Sequence, residues 1–459
     1  MWTLILASWA SAVTCQAAPA AARTPRKIAP RPLQISYRGT VELEAHFRHP
    51  GETRSFESEQ TFYRGPAGHV RLDWTTWAEG DSSRVPETYI VSGDSVFYRE
   101  APDARWQLLA GERARLGRIE ALAGIPEALL SEARSHAPPR SLQRFLRVRG
   151  TRLEELVMLR PHPRLGDVRD SVSYSYISDE QAPRDMLLVL HERDQQWRLV
   201  ERRASWSRAT AARSLFAVPA RFDPPAPPDT LAGEPRIVPL APGIWSADME
   251  DIDSRTLIVE FADHLALIEF AVGSANGERL ADVARKRWPQ KPIRYALFSH
   301  YHPHYAGGLR AMIAEGATVI TTPGNENFVR GIAALPFTIE PDRLARSPRP
   351  LKIQAFTDRF ELTDSTNQLV AFNYGARSQH TDEFAVFWFP RAKLLFETEL
   401  GWVRAADGTL RASRRAAPLL AWLDEQKLDV KRIVQSWPMR GNAPEESRAE
   451  LDSLVHAAK

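Results

Sequence analysis

The stretch Phe298-Ser299-His300-Tyr301-His302-Pro303-His304-Tyr305-Ala306-Gly307-Gly308 places three histidines at alternate positions, directly before two glycines. An apolar run precedes the histidines at 295–298, and a helical pattern follows the glycines at 309–315. This pattern predicts a strand, a tight loop and the start of a helix. Because residues two apart point the same way on an extended backbone, we expect His300, His302 and His304 to project into one volume. Neutral imidazole is the commonest protein ligand for zinc, so the stretch predicts a metal site.

The same stretch resembles the signature of the metallo-β-lactamase superfamily, His-x-His-x-Asp-His followed by a small residue and two glycines. His300 and His302 match the first two histidines, and Gly307-Gly308 matches the glycine pair. His304 stands where the family has its aspartate, and Tyr305 stands where it has the third histidine of the motif. The resemblance implies an αββα sandwich with a metal site, and hydrolysis by a metal-bound hydroxide.

Later stretches match the remainder of that site. Gln379-His380-Thr381-Asp382-Glu383 resembles the family's His-Thr turn before a strand, which gives His380 the role of third ligand. The stretch 393–400 resembles the strand and loop of the family's metal-bridging aspartate, and Glu399 is the matching residue. Trp437 stands where the last family histidine is expected. Glu269 stands where the family usually has a buried aspartate, and the resemblance implies that it accepts a hydrogen bond from a ligand histidine.

These matches imply one metal ion rather than two. His300, His302 and His380 complete a first site with an open position, where an ion lowers the pKa of a bound water to about 7. The second site keeps Glu399, with His304 as a further candidate. Zinc is the expected ion, and iron or manganese is the alternative if Glu399 joins the ligands. His304 or Glu399 is the expected base, and Tyr301 or Tyr305 is the expected donor to a developing oxyanion.

Length, charge and hydropathy exclude several classes of protein. The chain has 459 residues, 43% of them hydrophobic, which predicts two or three domains with packed cores. The 60 basic residues are 8 Lys and 52 Arg, spread along the chain among acids, and the formal net charge is +3. We therefore expect no nucleic-acid partner, which would need a clustered basic face. Because no apolar run of 18 residues follows the N-terminus, we expect no transmembrane span in the mature chain.

Residues 1–20 resemble a secretory signal peptide. Leu4-Ile5-Leu6-Ala7 lies in an apolar stretch, and the small residues at 17–22 offer cleavage sites. The expected location is secreted or periplasmic, in a bacterial envelope, and lipid anchoring at Cys15 is the alternative. Cys15 is the single cysteine, so a mature chain without it has only His, Asp, Glu and water as metal ligands.

Residues 33–222 are predicted to form an antiparallel β domain with a helical insert. Val70, Leu72 and Trp74 alternate with polar residues, and Ser92-Gly93-Asp94-Ser95 is typical of a hairpin turn. The segment 113–156 predicts helical pieces broken by prolines. Stretches such as His69-Val70-Arg71-Leu72-Asp73 resemble the half-barrel of outer-membrane lipoprotein-carrier domains. That resemblance implies a lipid or acyl ligand on the concave face, and a spacer or accessory domain is the alternative.

Residues 223–235 are predicted to be a stiff linker because of their prolines. From 236 to 459, short apolar strands alternate with helical patterns, which predicts two packed sheets with helices outside. The predicted fold class is α+β, with an antiparallel β domain followed by a metallo-β-lactamase-like αββα sandwich.

Two functions follow from these patterns. The first is a secreted metal-dependent hydrolase that acts on an ester, thioester, lactone or amide-type bond of a small molecule. The second is a catalytically degenerate envelope protein that binds or carries an apolar ligand or lipid. A further metal chemistry, such as thiol oxidation, also stays open.

Overall fold

The computed structural model describes residues 33–44, 48–65, 68–78, 84–177, 182–192, 195–207, 212–225, 233–406, 409–437, 439 and 445–457. The predicted signal peptide 1–20, with Cys15, lies outside these residues, as do residues 226–232 of the predicted linker. Among the helices of the described ranges, none is both long and apolar enough to cross a membrane.

An antiparallel sheet organises the first part of the described chain. Its strand order is β6-β5-β4-β3-β2-β1-β11-β10-β9-β8-β7. Strands that pair in the sheet are consecutive along the chain, except for β1 and β11, and β6 and β7 are the two edges. The strands are β1 (Leu33–Glu44), β2 (Thr53–Arg64), β3 (Val70–Trp77), β4 (Glu87–Ser92), β5 (Ser95–Arg99), β6 (Gln107–Leu108), β7 (Gln143–Arg149), β8 (Arg152–His162), β9 (Gly166–Ser175), β10 (Asp185–Glu192) and β11 (Gln195–Ser207).

Two helices between β6 and β7 cover one face of this sheet, α1 (Gly111–Ala123) and α2 (Pro126–Ser135). Leu122 and Leu129 of the helices share one apolar cluster with Phe62 and Val172 of the sheet. At the turn between the helices, the Tyr37 hydroxyl donates to the Gly124 carbonyl at 3.2 Å. The predicted antiparallel β region with a helical insert is therefore present, and its inner face is filled by the insert.

The helical prediction for 113–156 is wrong beyond α2. Residues 143–149 and 152–162 form β7 and β8, which pair as a hairpin around Gly150. Leu156, Met158 and Arg160 are buried at every second position, as in a strand. β7 is an edge strand of the sheet, and Phe145 is 53% exposed there. Because β7 has no buried face, its sequence does not show the alternation of apolar and polar residues that is typical of a strand.

Two further sheets form the second part of the chain. The strand order of one is β12-β13-β14-β15-β16-β17-β18, and that of the other is β19-β20-β21-β22-β25-β26. The strands are β12 (Arg236–Ala241), β13 (Ile244–Met249), β14 (Ser254–Glu260), β15 (Leu265–Ile268), β16 (Ile293–Leu297), β17 (Thr318–Thr321), β18 (Lys352–Ala355), β19 (Arg359–Thr363), β20 (Gln368–Asn373), β21 (Ala385–Phe389), β22 (Leu394–Glu397), β23 (Val403–Ala406), β24 (Thr409–Ala412), β25 (Arg432–Gln435) and β26 (Glu445–Ser447), of which β23 and β24 form a separate hairpin.

Helices lie on both outer faces of these two sheets. They are α3 (Ser274–Arg287), α4 (Pro303–Ala306), α5 (Leu309–Ala314), α6 (Glu326–Ala334), α7 (Arg343–Arg346), α8 (Ala416–Glu425) and α9 (Arg448–Ala457). One apolar cluster joins the inner faces, with Leu257 and Ile268 against Phe387 and Phe396. A second packs the first sheet on α3, α5, α6 and α7, and a third packs the other sheet on α8 and α9. This confirms the predicted α+β class and the αββα sandwich.

The glycine pair of the opening stretch allows α3 and α5 to pack closely. A Cβ on Gly308 would lie 3.0 Å from the Cα of Gly277, and a Cβ on Gly277 would lie 2.3 Å from the Gly308 carbonyl oxygen. Only glycines fit at such a backbone contact. The contact fixes the helix that follows the histidines against the sheet.

The turn between β8 and β9 contacts the sandwich. Asp167 accepts hydrogen bonds from the amides of Thr338 at 2.8 Å and Ile339 at 3.1 Å, and its own amide donates to Pro336 O at 2.6 Å. Ser274 N, at the start of α3, donates to the Pro163 carbonyl at 3.0 Å. These bonds join the antiparallel sheet to the same layer of helices that carries the glycine contact.

Candidate metal centre

Three loops meet at one edge of the sandwich. His300 and His302 follow β16, His380 lies just before β21, and Glu399 lies just after β22. Because β21 and β22 run antiparallel, the start of one lies beside the end of the other. The Ala385 amide donates to the Ser299 carbonyl at 2.8 Å, which ties the first loop to the start of β21. The topology therefore brings together residues that are a hundred positions apart.

The ligand atoms of His300, His302, His380 and Glu399 lie within 4.8 Å of one another. His302 Nδ1 is 3.1 Å from His300 Nε2 and 3.0 Å from His380 Nε2. His380 Nε2 is 2.7 Å from Glu399 Oε2. The structure thus brings together all four residues that the sequence proposes as metal ligands.

This arrangement fits a metal ion. A ring nitrogen has one in-plane hydrogen or one lone pair, so His302 Nδ1 can form a hydrogen bond with only one of the two ring nitrogens that it faces. Nitrogens bound to one tetrahedral zinc at about 2.0–2.1 Å lie about 3.3–3.4 Å apart, near the spacings found here. Three imidazoles with a carboxylate are a donor set for zinc, iron or manganese.

Burial keeps His300 in its ligand form. The side chain is fully buried, and loss of hydration, with the neighbouring His302 and His380, lowers the pKa of His300 well below its usual value. A neutral imidazole has a lone pair to give to a metal. Ser299 Oγ lies 3.0 Å from His300 Nδ1 and fixes the ring orientation.

Glu269 supports His300 through Ser299 rather than directly. Its Oε1 accepts a hydrogen bond from Ser299 N at 3.1 Å, so the predicted bond from a ligand histidine to Glu269 is not formed. The carboxyl is fully buried, and desolvation raises its pKa well above the usual value. Ser299 therefore lies between Glu269 and His300 in this hydrogen-bonded series. The match of Glu269 to a family position gave no indication of this intermediate residue.

Glu399 is held in place by several donors. The Tyr305 hydroxyl donates to its Oε1 at 2.8 Å, and Arg415 Nη1 lies 3.3 Å from its Oε2. Burial acts to raise the pKa of Glu399, but the hydrogen bond and charge of His380 outweigh it and hold the pKa at about 2. The backbone at Glu399 has φ 58°, a left-handed conformation that a neighbouring residue stabilises, since both oxygens of Glu397 accept amides of Leu400 and Gly401.

His304 lies apart from the four ligand atoms. The expectation that it shares the direction of His300 and His302 is wrong, because Pro303 opens the short helix α4 and ends the extended backbone. The His304 ring instead packs at 4.7 Å from the Trp437 ring, measured between centroids. The two positions at which the resemblance implies further metal ligands thus contact each other.

Arg415 was not identified from the sequence. It stands just before α8, and its Nη2 lies 3.3 Å from His380 Nδ1. Since guanidinium only donates, Nδ1 accepts in this contact, and the hydrogen on Nε2 is then donated to Glu399. A metal on Nε2 requires the other tautomer, so this contact has to change when an ion binds. The chain has 52 arginines, and no sequence pattern around Arg415 distinguishes it from those on the surface.

The antiparallel sheet also reaches this edge. Asp382, two residues after His380, donates its amide to the Arg48 carbonyl at 3.1 Å, and its carboxylate lies 3.1 Å from His49 Nε2. Glu52, in the same turn, raises the pKa of Tyr301, an effect smaller than that of burial. Arg48 and His49, which precede β2, therefore lie beside the candidate centre.

No protein-family model matches the chain. Among solved structures, the chain is similar to a metallo-β-lactamase from Pontibacter korlensis, with 18% identity, coverage of 49% of this chain and 99% of that one, and a TM-score of 0.36. It is also similar to the metallo-β-lactamase FIM-1 from Pseudomonas aeruginosa in a mono-zinc form, with 19% identity, 51% and 99% coverage, and a TM-score of 0.35. A third similar structure is a metallo-β-lactamase from Hirschia baltica, with 16% identity, coverage of 49% of this chain and 97% of that one, and a TM-score of 0.34. The sheet order and the outer helices, rather than these scores, identify residues 236–459 as an αββα sandwich.

Proposed function

We propose that this chain is a metal-dependent hydrolase of the metallo-β-lactamase superfamily that uses a single metal ion. His300, His302 and His380 would hold the ion, with Glu399 beside it. The observation that carries the proposal is the convergence of three ring nitrogens and one carboxylate within 4.8 Å, on loops at one edge of an αββα sandwich. Zinc is the expected ion, and iron or manganese is the alternative with Glu399 as a ligand.

A zinc ion at this position supplies a Lewis acid and a water whose pKa is about 7. The chain itself supplies the proton acceptor, which we assign to the Glu399 carboxylate because it lies beside the ligand atom of His380. His304 is the second candidate, and its ring is half-buried on α4. Tyr305 is fully buried and its hydroxyl is bound to Glu399, which favours a role in positioning that carboxylate over contact with substrate.

The proposed substrates are small molecules with an ester, thioester, lactone or amide-type bond. All of these present a carbonyl carbon to an activated water, and the donor set does not favour one of them. The proposed location is a bacterial periplasm or the exterior, on the sequence of residues 1–20.

The test is metal content measured by elemental mass spectrometry on the mature protein, on a His300→Ala/His302→Ala variant and on a His136→Ala/His456→Ala control. The control removes two exposed histidines far from the centre along the chain. We expect about one equivalent in the mature protein and the control, and none in the first variant. Hydrolysis of a panel of esters, thioesters and lactones should stop with a chelator and return with zinc. An unchanged metal content in the first variant contradicts the proposal.

A second candidate function is supported by an apolar cavity in the first part of the chain. The cavity, about 130 Å³, lies between α1, α2 and β8, and its lining includes Leu116, Leu129 and Met158. Sites for drug-sized ligands have about 300–1,000 Å³, so this space fits a short apolar group rather than a whole lipid. Native mass spectrometry of the purified protein tests the carrier function, since a bound lipid in stoichiometric amount supports it and an unliganded mass opposes it.

A further inference from the structure

Arg415 brings a permanent positive charge to the candidate centre. Its Nη1 lies 3.3 Å from both the backbone oxygen and the Oε2 of Glu399, and its Nη2 lies 3.3 Å from His380 Nδ1. The side chain is only 16% exposed. A guanidinium stays protonated at every pH at which a protein is folded. This residue is the cation nearest to Glu399 among the contacts described for that carboxylate.

Both oxygens of Glu399 are already used by the chain. Oε1 accepts from Tyr305, and Oε2 receives His380 Nε2 and Arg415 Nη1. A carboxylate that bridges to another metal ion needs a free lone pair directed away from the first ion. In this structure Arg415 Nη1 lies 3.3 Å from Oε2, the same oxygen that His380 Nε2 contacts. Arg415 therefore places a positive charge on the same carboxylate oxygen that a bridging metal ion would use.

Two positions near Glu399 lack the imidazoles that a second metal ion would use. Tyr305 and Trp437 stand where the sequence resemblance implies further imidazoles, and Trp437 packs on His304. Removing ligands alone leaves a buried carboxylate without a counter-charge, which is unfavourable in a site of low dielectric constant. The guanidinium supplies that charge without an ion.

We propose that Arg415 takes the place of a second metal ion: its guanidinium neutralises Glu399, occupies Oε2 and limits the centre to one metal. Arg415 is a positioning residue in this scheme, because it acts through Glu399. The inference rests on the proposed single-metal function and states which residue makes the site mononuclear. It concerns metal stoichiometry, so it is measured without any substrate.

The experiment is a cobalt titration of the mature protein and of Arg415→Met, which keeps an unbranched apolar side chain and removes the guanidinium with its charge. Bound metal is counted by elemental mass spectrometry after desalting, and visible absorption of cobalt reports each ligand environment. We expect the mature protein to saturate at about one equivalent and Arg415→Met to take up a second. Arg415→Lys, which restores a cation, should return the count to about one.

The matched control is Arg377→Met. Arg377 is 58% exposed and pairs with Glu425 at the end of α8, so its loss should leave the count at one. If Arg415→Met fails to fold, Arg415→Gln provides the same comparison. One equivalent in both the mature protein and the folded Arg415 variant overturns this inference alone. No metal in any variant overturns the proposed function as well, and two equivalents in the mature protein overturn the inference directly.

Discussion

The hydroxyl of Tyr305 donates a hydrogen bond to Oε1 of Glu399 at 2.8 Å, in a place where both side chains are buried. Tyr305 comes from α4, directly after the paired histidines, whereas Glu399 follows β22 on the other sheet. The bond therefore fixes the carboxylate relative to His300 and His302 across the two layers. At the position where the family resemblance would place an imidazole, Tyr305 thus supplies a hydrogen-bond donor to Glu399.

Removal of that hydroxyl should destabilise the protein and loosen the metal. In Tyr305→Phe, a buried charged acceptor loses a donor, which costs about 1–3 kcal/mol of the free energy of unfolding. We also expect faster metal loss to a chelator, because Glu399 becomes free to move. Urea unfolding and the rate of chelator-driven release measure the two effects.

Tyr374→Phe is the control for that substitution. Tyr374 is 2% exposed, and its hydroxyl has no hydrogen-bond partner among the described residues, so its loss should change little. Equal effects of the two substitutions would show that the Tyr305–Glu399 bond does not contribute.

The two carboxyls of the centre should respond differently to amidation. Desolvation raises the pKa of Glu269 well above its usual value and so favours its neutral form, which Glu269→Gln resembles. Glu399 contacts Arg415 and His380, so Glu399→Gln removes a charge that these residues need. We expect metal content and melting temperature to stay the same in Glu269→Gln, and metal to be held less tightly in Glu399→Gln. Equal metal loss in both variants would contradict this distinction.

The sequence was sufficient to predict many of the strands and helices of the sandwich and the four residues that converge. Short apolar runs indicated strands such as β14 and β17, and the His-x-His stretch and the His-Thr turn are local patterns. These features depend on neighbours within a few positions, which is why a single sequence contains them.

The wrong or missing predictions have two causes. Some depend on contacts between segments that are distant along the chain, and others on two local preferences that favour different backbone conformations. His304 followed the alternation of the histidines, but Pro303 favours the first turn of a helix and rotates the next residue away. Ser299 between Glu269 and His300, and Arg415 beside Glu399, depend on the packing of two sheets. β7 is an exposed edge strand, so it has no buried face from which a period of two could be recognised.

Stability of the first sheet should fall as the pH rises, because of Glu201. Its carboxyl is 1% exposed on β11 and accepts a hydrogen bond from Ser58 at 2.7 Å, and burial raises its pKa to about 8. Between the pKa of the unfolded chain, about 4.5, and pH 8 the folded state holds a proton that the unfolded state has lost. Raising the pH through this window therefore favours unfolding.

Glu201→Gln removes this titration and keeps the shape of the side chain. Relative to the variant, the unsubstituted protein should lose about 3–4 kcal/mol of unfolding free energy between pH 5 and pH 8. Urea unfolding of both proteins at several pH values measures the difference, and other titrating groups cancel in the comparison. A difference that is constant with pH would contradict the assignment to Glu201.

Gly166 should determine whether the antiparallel sheet and the sandwich unfold together. A Cβ at this position would lie 2.0 Å from the Pro336 carbonyl oxygen, in the turn whose Asp167 bonds to residues 338 and 339. Gly166→Ala should therefore push the turn away from the sandwich. We expect separate thermal transitions by calorimetry, and faster cleavage of the native protein by a protease.

Gly150→Ala is a closely matched comparison, because Gly150 also lies in a hairpin turn with positive φ, 60° against 74° for Gly166. Nothing lies within 4 Å of a Cβ at Gly150, so its substitution brings only the backbone strain of a left-handed residue, about 1–2 kcal/mol. The clash at Gly166 should add about 1–3 kcal/mol, as overpacking does in other proteins. If both variants unfold in one transition with the same loss of stability, the turn does not couple the two parts.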